Sequence, residues 1–209
     1  MLGYLIGSVP AAYLVVRWKT RIDIRHAGSG NVGTLNSFLV TRSKLVGGLV
    51  LLLDLSKGLL AVWTAGALLG EGFGVGAAAA SAAVLGHNYP LWLGFRGGRG
   101  LACAAGVFLA LSWPVVPVWL AAWGVGYLWL RAVNPANALA TSAVLCSALA
   151  LPAGWLLSVA PAGADMTGYR AFVVAVMVII LARHIAPVSE FLKEHRSARG
   201  KDRSSGEER

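Results

Sequence analysis

Charge is what this sequence has least of. Asp, Glu, Lys and Arg make up 13% of its 209 residues. A soluble domain carries about 25%, so too little polar surface exists here to face water on every side. Acidic residues are the scarcest, 9 against 18 basic, for a net charge of +9. In a soluble chain that excess would suggest nucleic acid. Here the basic residues sit in short segments between apolar runs, which is the membrane pattern, and no nucleic-acid partner is expected. Cysteine is nearly absent: Cys103 and Cys146 form no CxxC and no metal spacing, and read as reduced packing residues. The four histidines, His26, His87, His184 and His195, stand in no HExxH or carboxylate–histidine spacing, so no metal is expected. No GxSxG elbow is present, which disfavours a serine hydrolase. No histidine is followed five residues later by aspartate, which disfavours another acyltransferase class. No cofactor is expected either. The opening MLGYLIGSVP has no basic n-region and no cleavage site, and the natural start is expected a few residues upstream.

What remains is apolar: 57% of the residues are hydrophobic and the mean hydropathy is +0.68. A helix crosses a bilayer with about 20 apolar residues. Seven candidate segments follow: Leu2 to Trp18, Leu45 to Leu69, Phe73 to Leu93, Leu101 to Trp113, Pro114 to Leu130, Asn137 to Val159 and Gly168 to Ile185. The expected fold is an all-α membrane protein of seven transmembrane helices with cytoplasmic active-site loops. Charge placement supports that count. Arg17, Lys19, Arg21, Arg25, Arg42 and Lys44 fall in the first loop, Arg96 and Arg99 in the third, Arg131 in the fifth, and Arg183 with the tail after the seventh. The positive-inside rule puts these in the cytoplasm, with the N-terminus outside. The expected division is a membrane domain over 1–192 and a polar, disordered cytoplasmic tail over 193–209.

Two glycine-rich segments lie on that side. The first, Gly28-Ser29-Gly30-Asn31-Val32-Gly33, fits GxGxxG with Asp54 some way on. Charged residues precede it rather than a buried strand, which excludes a dinucleotide fingerprint. A tight loop presenting backbone N–H groups to an anion is the other reading, with Ser29, Asn31 and Asn36 as neutral donors. The second, Arg96-Gly97-Gly98-Arg99-Gly100, interleaves glycine with guanidinium and reads as a phosphate cradle. Asp54 and Lys57, three apart on one helix face, read as an internal ion pair. His184 closes the seventh segment on the same side as both loops.

Together these pieces resemble a known family. Gly7-Ser8-Val9-Pro10, Asp23-Ile24-Arg25, the loop from Gly28 to Gly33 with Asn36, Asp54-Leu55-Ser56-Lys57-Gly58, Gly86-His87, Pro90 and Phe95-Arg96-Gly97-Gly98-Arg99-Gly100 stand in the order and spacing of the bacterial acyl-phosphate:glycerol-3-phosphate acyltransferases, the PlsY family. The resemblance implies a multi-pass inner-membrane enzyme of phospholipid synthesis. Its substrates would be acyl phosphate and glycerol 3-phosphate, and its products lysophosphatidic acid and inorganic phosphate. It implies catalytic roles for Ser29 and His184 and substrate binding by Asn31, Asn36, Arg96, Gly97, Gly98, Arg99 and Gly100.

The chain departs from the family pattern at several positions. Leu39 stands where an arginine is expected, Pro187 where an asparagine is, and Glu190 where an arginine is usual. Arg96 and Arg99 replace lysines, and Cys103 replaces a threonine. The missing arginine at 39 removes a contact worth about 1.5–3 kcal/mol. A catalytically impaired, binding paralogue is therefore the alternative reading, and a small transporter a weaker one.

Overall fold

A computed structural model describes the backbone of residues 1–207 and the side chains of residues 1–197. Eleven α-helices and two short 3₁₀ turns make up these residues, and no strand occurs among them. The N-terminal helices are α1 (Leu2–Gly7), α2 (Ala11–Thr20) and α3 (Thr34–Thr41). The long α4 (Lys44–Leu69) follows, then α5 (Phe73–Asn88), α6 (Leu101–Leu111) and α7 (Val115–Leu130). The chain ends with α8 (Val133–Ala150), α9 (Ala153–Leu157), α10 (Met166–Ala182) and α11 (Ile185–Glu207).

α4 is the axis. It packs on α1, α2, α3, α5 and α6, while α8 packs on α7, α10 and α11, and α5 joins the two groups through α10. Its sidedness is that of a membrane helix. Leu45, Leu52, Leu60, Trp63 and Leu68 point outward, whereas Asp54 and Lys57 point in, along a buried stripe with Val46, Val50, Gly58, Ala61 and Ala65. A helix in water would do the opposite. Ser43 starts it by accepting the Val46 N–H, and Gly70 ends it at φ 93°.

Small residues let the helices meet closely, as membrane packing favours. A Cβ on Gly7 would overlap the Ala83 carbonyl of α5, and one on Gly106 of α6 would overlap the Leu55 carbonyl of α4.

The first expected span is not one helix. Pro10 cannot donate a backbone hydrogen bond, so the chain breaks between α1 and α2. At the break the Val9 carbonyl accepts from both the Ala11 N–H and Lys57 Nζ, each at 3.0 Å. The same ammonium lies 2.9 Å from Asp54 Oδ1, and His87 Nδ1 approaches that oxygen to 3.5 Å. Asp54, Lys57 and His87 are 1%, 7% and 6% exposed. One buried group therefore ties α4 to the α1–α2 break and to the end of α5.

Other boundaries move too. The third expected span stops at Asn88 before Pro90, and the sixth is α8 plus the short α9, broken at Pro152. By length and composition, α4 and α8 are long and apolar enough to cross a bilayer, and α10 with α11, bent by 50°, makes a third if counted as one span. The backbone of α11 runs across the expected boundary at 192 as far as Glu207, and residues 208 and 209 lie outside the described residues.

Replacing Lys57 by Met would strand the Asp54 carboxylate. We expect a loss of about 3–5 kcal/mol, read as a lower unfolding midpoint in detergent. An unchanged midpoint would show that the pair holds nothing.

Candidate active site

The first glycine loop is built around one amide. Asp23 opens a 3₁₀ turn over Ile24–His26 by accepting the Arg25 N–H at 3.0 Å, and the Arg25 guanidinium returns to the carboxylate at 2.7 Å. That guanidinium holds the Asp23 carboxyl down from 3.8 to about 2. The lowered value means that this contribution is complete above the unfolded value and is lost as pH falls through the folded one. Ile24 and Val32 are buried in one cluster with Ala12 and Val16 of α2 and Val46 and Val50 of α4. Asn36 organises the turn between them. Its Oδ1 accepts the Ser29 N–H at 3.0 Å, and its Nδ2 donates to the Ala27 and Asn31 carbonyls, each at 3.0 Å. Gly28 and Gly30 take positive φ, and a Cβ on Gly28 would run into Asn36 Oδ1.

The second loop is suspended between two helix ends. The Gly97 and Gly98 N–H groups donate to the Asn88 and His87 carbonyls of α5 at 3.2 and 3.0 Å. The Gly97 and Gly98 carbonyls accept from Arg183 Nη2 and Nε at 3.0 and 3.1 Å. A Cβ on Gly98 would lie 2.7 Å from the Val32 carbonyl and closer still to the His87 ring. At that point the first loop, α5 and the second loop meet. Gly100, at φ 85°, then turns the chain into α6. The Arg99 guanidinium donates to Asn134 Oδ1 at the start of α8. Burial pulls Arg99 down from its ordinary value, the Arg183 charge adds to this, and Glu190 opposes it.

A cleft of about 550 Å³ lies between the two loops. Asn31, Thr34, Asp54, His87, Arg99 and Gly100 form its polar wall. The first turns of α3 and α6 both open on it, and such turns carry unpaired N–H groups and partial positive charge. Leu51, Leu101 and Ala102 are shared with a second, apolar groove of about 650 Å³ that runs past Phe108, Trp119 and Met177. Among the described residues no three His, Cys, Asp or Glu side chains gather as metal ligands.

The chain that carries this cleft and the neighbouring apolar groove has relatives among known proteins. The family model for glycerol-3-phosphate acyltransferase matches residues 1–194. The chain belongs to the glycerol-3-phosphate acyltransferase family. A relative of that name from Jannaschia sp. is 37% identical over 201 residues, covering 96% of this chain and 91% of its own. Another, from Gloeobacter violaceus, is 43% identical over 148 residues, covering 69% of this chain and 72% of its own. The crystal structure of PlsY, an integral membrane glycerol 3-phosphate acyltransferase, in its glycerol 3-phosphate form superposes with a TM-score of 0.76 at 30% identity, covering 92% of this chain and 89% of that one. Its lysophosphatidic acid form gives 0.75 at 29% over the same shares.

In this family member the expected site residues divide. Asn31, Arg99 and Gly100 line the cleft, and so does Asp54 of the ion pair. Asn36, expected to bind substrate, is 2% exposed, and its amide is engaged by its own loop. Gly97 and Gly98 do not offer their N–H groups to an anion, because α5 already takes both. The donors left to the cleft belong to Arg99, Gly100 and the first turn of α6. Arg96 is exposed and outside the cleft lining. Ser29 is also outside it, with its hydroxyl at the exposed tip of the first loop. His184 is 1% exposed and lines a separate apolar groove beneath α11. Its Nδ1 lies 2.9 Å from the Ile180 carbonyl, and its buried Nε2 has no partner among the described residues. Thr34 and Asn134 escaped the sequence reading, while His87 and Arg183 were read there as a motif residue and a cytoplasmic charge but not as site residues. Thr34 directly follows the glycine motif and Arg183 directly precedes His184, so position alone could have flagged both.

Asn36→Ala should cost about 2–4 kcal/mol, from several hydrogen bonds lost at once, and should expose the first loop to protease in membranes. Ser29→Ala should leave both stability and protection unchanged. Equal behaviour of the two variants would overturn the organising role of Asn36.

Proposed function

We propose that the chain transfers a fatty acyl group from acyl phosphate to the 1-hydroxyl of glycerol 3-phosphate. The hydroxyl oxygen bonds to the acyl carbonyl carbon, the bond from that carbon to the phosphate oxygen breaks, and the hydroxyl proton leaves with the released phosphate. The products are lysophosphatidic acid and inorganic phosphate. One observation carries the reading: the cleft with Asn31, Thr34 and Arg99 on its wall and the apolar groove are neighbours, with Leu51, Leu101 and Ala102 lining both. A molecule with a phosphate at one end and a hydrocarbon chain at the other fits both together, and donor and product each have that form.

Arg99 is the principal phosphate ligand in this proposal, with the Gly100 N–H and the first turns of α6 and α3 beside it. Charge-assisted bonds of this kind gather phosphate oxygens without a metal. The donor is already activated, so no protein nucleophile enters. Ser29 is proposed to reach the reacting carbonyl from its exposed loop tip. His184 is proposed to orient the attacking hydroxyl. Its Nδ1 must carry the proton to bond the Ile180 carbonyl, which leaves the unpartnered Nε2 as an acceptor. The seven-span topology, the cytoplasmic C-terminus, the inner-membrane location and the division at 192 belong to the same proposal. The basic residues, gathered on alternate loops that fall on one side, support them.

Three outcomes check it. Arg99→Ala should raise KM for glycerol 3-phosphate about 10- to 100-fold, the equivalent of one or two charge-assisted bonds, with the protein still folded. Turnover with palmitoyl phosphate should far exceed turnover with the matching coenzyme A thioester, and equal rates would remove the proposed donor. A reporter fused after Arg209 should read cytoplasmic, and a periplasmic signal would end the seven-span topology.

A further inference from the structure

We infer that Arg183 is a positioning residue whose guanidinium sets the direction in which the Gly97–Gly100 loop presents its donors to substrate phosphate. The inference rests on the acyltransferase proposal for its substrate, but its geometry stands apart from it.

Arg183 sits at the end of α10, where the helix stops at Ala182. Its planar fork donates to two consecutive carbonyls, Nε to Gly98 at 3.1 Å and Nη2 to Gly97 at 3.0 Å. Its guanidinium carbon stands 5.3 Å from the centre of the Tyr89 ring, which closes its other face. A peptide plane has two polar ends. Each plane pairs one residue's carbonyl with the next residue's N–H, so fixing the Gly97 carbonyl on Arg183 also fixes the Gly98 N–H, which donates to His87, and fixing the Gly98 carbonyl sets the direction of the Arg99 N–H. The Gly97–Gly98 peptide is thus held at both ends, the Gly98–Arg99 peptide at its carbonyl, and the Gly97 N–H is held separately by Asn88. The next two residues, Arg99 and Gly100, are the ones that line the cleft. Glycine backbone is permissive, and two adjacent glycines would otherwise allow many loop directions. If the Gly98 carbonyl turned towards the cleft, it would present an acceptor dipole to an anion. The clamp prevents that.

Arg183 also carries charge close to the site, so charge and positioning must be separated. Lysine keeps the charge but cannot bond two carbonyls along a planar fork. Backbone amide exchange of Gly97 and Gly98 and KM for glycerol 3-phosphate should be measured in wild type, Arg183→Lys and Arg183→Ala, in detergent. We expect exchange at both glycines to rise at least 10-fold in both variants. KM should rise at least 10-fold in both, with kcat falling less. Guanidinium ion should partly restore exchange protection and KM in Arg183→Ala, while methylammonium at the same ionic strength should not. Wild-type exchange and KM in Arg183→Lys would overturn the inference in favour of charge alone. Unchanged exchange in Arg183→Ala would overturn it outright. If Arg183→Ala fails to fold, Arg183→Lys carries the test. If the wild type turns over no glycerol 3-phosphate, the acyltransferase proposal falls, while the exchange data still decide whether the clamp exists.

Discussion

The buried group formed by Lys57, Asp54 and the Val9 carbonyl is the contact on which the arrangement of helices depends. A broken helix in a membrane leaves backbone groups without water to satisfy them. Here the break is used. The Val9 carbonyl at the break meets an ammonium from α4, and that ammonium can be buried only because Asp54 lies one turn before it on the same helix. His87 reaches the same carboxylate from α5, and its carbonyl receives the second glycine loop. From one ion pair, a path of direct contacts therefore reaches the α1–α2 break, the end of α5 and the loop at the mouth of the cleft.

The glycines of the two loops do different work from what their pattern suggests. A run of glycine and arginine invites the reading that backbone N–H groups face a phosphate. In the fold, Gly97 and Gly98 are glycines because three segments approach too closely for a side chain. Gly28 has no side chain because the Asn36 amide occupies that space. The polar groups that line the cleft include the residues just after each crowded point: Thr34 after Gly33 in the first loop, and Arg99 and Gly100 in the second.

This explains what the sequence could and could not disclose. The Asp54–Lys57 pairing follows from residue spacing on a helix, so it was legible. The membrane class follows from composition and was legible too. The break at Pro10 was visible as a proline, yet an apolar stretch on either side favoured one span. The role of Asn36 was not legible, because an amide that binds a ligand and an amide that binds its own loop are the same letter. Likewise, nothing in the letters GG states which way a peptide plane turns. Arg183 settles that from 85 residues away, and only the fold brings the two together.

Electrostatics in the cleft then follow from the same ion pair. Asp54 is a carboxylate on the wall of a site that suits phosphate, which alone would oppose binding. Its partner Lys57 cancels the charge at 2.9 Å, and burial keeps solvent from screening the two apart. Unpaired, the carboxylate would repel an entering dianion. Paired, it leaves Arg99 and the two helix N-termini to set the sign of the potential. Glu190, the carboxylate that acts on Arg99, is exposed outside the cleft lining, where solvent and salt weaken it. The contact that holds the helices together is thus also the one that lets a site with a buried carboxylate accept an anion.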